Sequence, residues 1–182
     1  MSLPSALAVT FRPAAAWDAL RAADPGWGAT LARHVLPLSL LPAVAWPLGQ
    51  AASGRLPLTF GGLGASFLAT LGLAVASVLV LAAGLFLLSP AFAAPRHWGR
   101  SMAVAAYAAT PVLLSGALLV MPVLVVASLA ACVHGFALCY LGVQRLLDCP
   151  EPDAAFFVAS AAMFALVASL ALGGLCSAAG LI

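Results

Sequence analysis

The stretch SFLATLGLAVASVLVLAAGLFLL, residues 66–88, contains no charged side chain and no proline. A helix rises about 1.5 Å per residue, so such a run covers the roughly 30 Å hydrocarbon core of a bilayer. In lipid no bulk water is available, and the backbone must satisfy its own hydrogen bonds, as a helix does. Four further apolar segments of similar length flank this one, at about 31–48, 102–120, 123–147 and 154–176. The whole chain is 65% hydrophobic and only 7% charged, where a soluble domain carries about 25% charge. It lacks the polar residues to cover a soluble surface. The expected fold is therefore all-α, a polytopic five-helix transmembrane bundle over 31–182, preceded by an N-terminal segment at 1–30.

The charges choose an orientation. All seven cations are arginines, and the net charge is +2, too little for a nucleic-acid footprint. With the N-terminus cytoplasmic, Arg12, Arg21, Arg33, Arg96, Arg100 and Arg145 lie inside and only Arg55 lies outside, a strong positive-inside bias. The C-terminus then faces outward. The N-terminus does not look like a signal peptide. The absence of lysine with abundant alanine points to a GC-rich bacterial genome, hence to a bacterial cytoplasmic (inner) membrane.

Outside the spans, Pro13 opens a short helix with Trp17 and Leu20 on one face, ending at Asp24-Pro25-Gly26. It reads as an amphipathic helix at the membrane surface, anchored by Trp17. Arg96, His97 and Arg100 around Trp98 form an interfacial cluster. Gly49 to Gly64, including Gly61-Gly62-Leu63-Gly64, reads as a flexible linker rather than a phosphate loop. The turn after the fourth span carries Arg145, Asp148, Glu151 and Asp153, with Asp153 as expected N-cap. That charged turn is either a solvated helix end or a docking point.

Within the spans, Pro37, Pro42 and Pro47 each remove a backbone donor. The first span is therefore expected to be kinked or partly unwound, and packed against its neighbours. Pro111 frees the carbonyl of Tyr107, and the Thr110 hydroxyl can fold back onto a carbonyl three or four residues earlier. Small residues mark packing faces in lipid. They recur at Ala161, Ala165, Ser169, Gly173 and Ser177, and at Ala131, Gly135 and Cys139.

Candidate chemistry centres on His134, an imidazole deep in the fourth span. Counting from the break at Met121-Pro122 puts Tyr107 and His134 about 20 Å from the turn, at similar depth. Tyr107, Thr110 and His134 thus form a candidate polar layer. His134 is either a satisfied buried residue or a binding group. If the layer is structural, Tyr107→Phe and His134→Phe should lower stability with coupled effects. No metal site, cofactor site or nucleophile–base set is visible, and the four cysteines read as small buried hydrophobes. An enzyme is not expected.

Several motifs together resemble the Yip family of Ypt/Rab-interacting membrane proteins, and its bacterial five-span branch in particular. They are Pro13 with Trp17, the pattern Pro37-Leu-x-Leu-Leu-Pro42, Tyr107-Ala-Ala-Thr110-Pro111, Met121-Pro122 and Tyr140-Leu141-Gly142. The resemblance implies a five-helix architecture and a non-enzymatic structural or adaptor role. Expected partners are membrane lipid and a second copy or another membrane protein. The sequence has no long N-terminal region and no Asp-Leu-Tyr-Gly-Pro motif, so Rab-type GTPase binding is not implied. Pro37, Pro42, Pro111, Gly135 and Gly142 are expected to be structural. The competing expectation is a small transporter or channel whose polar midplane is Tyr107, Thr110 and His134.

Overall fold

A computed structural model describes residues 8, 10, 12–56 and 59–178. Among them there is no strand. Helix α1 covers Pro13–Ala23. Helix α2 is the run Trp27–Ala52, and α3 covers Phe60–Leu88, extended by a 3-10 turn at Ser89–Phe92. The third span is split into α4 (Trp98–Ala108), α5 (Thr110–Ser115) and a 3-10 stretch at Gly116–Val120. Helices α6 (Val125–Leu146) and α7 (Glu151–Ala178) complete the chain. Among the described residues, five apolar helical runs are long enough to cross a membrane.

Helix α4 lies at the centre, with every residue from Ser101 to Ala108 buried. It packs between α3 and α6. Helix α2 lies against α3 and the Gly116–Val120 stretch, and α7 covers α3 and part of α6. Glycines set the closest approaches. A Cβ at Gly135 would stand 2.8 Å from the Ala108 carbonyl oxygen, and one at Gly116 would stand 2.7 Å from the Pro42 ring. A Cβ at Gly49 would collide with the Leu119 carbonyl. Close backbone packing of this kind drives helix association in lipid.

Several expectations need correction. Helix α2 stays helical through all three prolines instead of unwinding. Its irregularity is a π-turn at Leu31–Val35, just before Pro37, where the Leu36 N–H donates to the carbonyl of Leu31. Pro37 follows directly within the same continuous helix, where its missing N–H removes one intrahelical donor to the turn before it. Gly61 to Gly64 are not linker but the opening turn of α3, because the Thr59 hydroxyl accepts from the Gly62 N–H as an N-cap. Asp153 is not a cap, since α7 already starts at Glu151. Of the two small-residue ridges, only part enters the interior: Gly135, Cys139 and Ala161 are buried, whereas Ser177 is exposed. Gly135 faces α4, while the α7 ridge touches α3 at Ala161, close to Gly84, and at Ser169, whose Oγ donates to Ser77 Oγ at 3.3 Å, and is open at Gly173.

Trp17 is not free to anchor α1 in a membrane surface. Trp17 and Leu20 are fully buried, and α1 lies on α6. Gly142 makes the room: a Cβ there would stand 2.9 Å from the Trp17 ring and 3.0 Å from Val104.

Candidate functional site

The polar layer forms where two helix irregularities face each other. The α4–α5 break at Ala109 turns Thr110 inward, and the π-turn of α2 turns His34 inward. His34 Nε2 and Thr110 Oγ1 are 2.9 Å apart. The Thr110 hydroxyl also reaches back to the carbonyl of Ala106 at 3.4 Å. The back-bond therefore goes to a carbonyl four residues earlier, and not to the Tyr107 carbonyl that Pro111 frees. If the hydroxyl proton goes to Ala106, then His34 donates from Nε2. The imidazole lies over the Tyr107 ring at 4.0 Å between centroids, and the Trp17 indole meets Tyr107 edge-on at 6.4 Å.

The result is one stack, Trp17–Tyr107–His34–Thr110, drawn from α1, α4, α2 and α5. Tyr107, Thr110 and Trp17 have no exposed surface, and His34 is buried. Two polar atoms in it have no hydrogen-bond partner, Trp17 Nε1 and Tyr107 Oη. A buried group left unpaired costs about 1–3 kcal/mol.

The structure brings Tyr107 and Thr110 together but does not bring His134 to them. His134 is exposed, and its Nε2 lies 3.2 Å from the carbonyl of Thr10. The depth count left the facing open. Gly135, Leu138 and Gly142 are the buried face of α6, and His134 sits one residue, about 100° of helix, from Gly135. The histidine of the layer is His34, which sequence reasoning missed. The signal was Trp27: a span starting there puts His34 about 10 Å inside it. Pro111 is buried beside the layer and Pro42 is buried against Gly116, whereas Pro37 is exposed.

A charged rim closes one end of the bundle. Arg21 Nη2 pairs with Asp148 at 2.7 Å, and Arg145 Nη1 with Asp18 at 2.8 Å. Arg100 lies 3.7 Å from Asp148 and 3.8 Å from Asp24. Arg21 and Arg100 also donate to the Arg145 and Leu146 carbonyls at the end of α6, where cations favour the helix dipole. Arg145 and Asp148 are therefore tied to α1 and α4 rather than grouped with Glu151 and Asp153. Behind this rim, burial and the Asp153 charge hold the Cys149 thiol above its ordinary range.

A histidine beside a hydroxyl is the geometry of a base and nucleophile, but Thr110 is fully enclosed. Among the described residues no three His, Cys, Asp or Glu side chains converge on a metal position. An apolar groove of about 430 Å³ runs between α6 and α7, lined by Phe136, Tyr140, Leu141 and Val158 among others.

The Yip1 domain family matches the chain over residues 7–173. No curated protein and no solved structure matches it.

Proposed function

The chain belongs to the Yip1 domain family, and from that premise we propose that it is a non-enzymatic structural or adaptor protein of the bacterial inner membrane. It acts through protein or lipid contacts in the bilayer, with its N-terminus cytoplasmic. Supporting this reading, the buried histidine and threonine are spent on one another. His34 is buried and ends on Thr110 and Tyr107. The outer faces, in contrast, are broad and apolar, with Phe156, Met163, Val167 and Leu170 exposed on α7. A passage needs polar groups facing a continuous cavity.

Reconstitution in liposomes tests the reading. Proton leak and small-solute flux should not exceed those of empty vesicles, and a photo-crosslinker at Met163 or Val167 in native membranes should trap a defined protein or lipid. A flux that disappears in His34→Ala, with folding intact, would replace the adaptor by a transporter. A reporter fused after residue 182 should appear outside, and a cytoplasmic signal would reverse the topology.

A further inference from the structure

Helix α1 fits its seat well at one point and weakly elsewhere. Only Ala16, Trp17 and Leu20 are buried. The seat is a notch between α4 and α6, floored by Val104, Tyr107 and Gly142. Its rim, Asp18–Arg145 and Arg21–Asp148, is made of side chains 45–59% exposed, where solvent screens ion pairs. Two buried polar atoms, Trp17 Nε1 and Tyr107 Oη, gain nothing from the contact.

The hinge is strained as well. Asp24 ends α1 at φ +38°, in the left-handed region that favours glycine. It also precedes Pro25, which biases its predecessor toward extended backbone. Straightening Asp24 would relieve both conflicts and swing α1 away from its own bundle. Short strained hinges are the usual route to exchange of an element between copies.

We propose that α1 is an exchangeable plug, and that the notch on α4 and α6 receives the α1 of a second copy, Trp17 included. The occupant is this chain's own helix because its shape and rim charges already match the notch. The extended hinge is the form that Pro25 prefers. The proposal stands apart from the adaptor reading, since a channel or an adaptor could pair in this way.

Surface cysteines test it in the full chain without touching the core. Arg21→Cys and Asp148→Cys copies, carrying different tags, are mixed in detergent micelles and mildly oxidised. The expected result is a disulfide-linked dimer between the two, at least ten-fold above that of an Arg21→Cys copy mixed with Glu151→Cys. Adding Asp24→Gly, which removes the left-handed penalty, should lower the yield several-fold. If only a chain carrying both Arg21→Cys and Asp148→Cys closes a disulfide, within itself, the plug does not exchange and the proposal fails. Equal dimer yields for the Asp148→Cys and Glu151→Cys mixtures would overturn it too.

Discussion

Helices α4 and α7 are both apolar, yet they solve opposite problems. From Ser101 to Ala108 every side chain of α4 is buried. Helix α7 buries only Ala154, Phe157, Val158 and Ala161, all in its first half, and leaves Phe156, Met163, Val167 and Leu170 outside. Around α4 the chain uses glycines, a proline ring and a polar stack, so each contact depends on one particular atom. Along most of α7 any apolar side chain of similar length would serve, because lipid is as apolar as the neighbour it replaces. Specificity in this bundle is concentrated around α4 and where α2 crosses the Gly116–Val120 stretch.

Substitutions should therefore hurt most at these close approaches and least along α7. The largest loss is expected for Gly135→Val, about 3 kcal/mol, because the new side chain meets the Ala108 carbonyl, which cannot turn aside. Folded fraction followed by circular dichroism across a detergent-to-SDS titration would measure it. In the same titration Thr110→Val should cost about 2 kcal/mol, since the buried His34 nitrogen loses its partner. Tyr107→Phe should run the other way, gaining about 1 kcal/mol by removing an orphaned hydroxyl. Ser169→Ala on α7 should cost only about 0.6 kcal/mol, the average for hydrogen bonds between membrane helices. If Ser169→Ala proved as damaging as Gly135→Val, the contrast between the two helices would collapse.

The long spans were legible because hydrophobic length alone specifies them in lipid. That the Thr110 hydroxyl would bond back within its own helix was legible for a similar reason, but its acceptor is Ala106 and not the freed Tyr107 carbonyl. What faced what was not. The fourth span has apolar residues all round, so nothing in its pattern told Gly135 from His134. The expected coupling of Tyr107→Phe with His134→Phe has no contact to carry it, and their effects should add. Trp17 was read as an anchor because tryptophan commonly sits at the membrane interface. Its true seat depends on Gly142, 125 positions away in the chain. His34 was passed over because its span was started at Leu31 instead of Trp27.

The π-turn of α2 also sets the phase of everything after it. An α-helix advances about 100° per residue, so a turn that holds one extra residue re-clocks the whole downstream half. His34 lies within that turn, and Pro42 and Gly49 lie in the part after it. Deleting a single residue between Leu31 and Val35 would convert the turn to ordinary α-helix. With His34 held on Thr110, Pro42 would then swing about a quarter-turn off Gly116, and Gly49 off Leu119. One amino acid in the first span thus keeps two crossings in step.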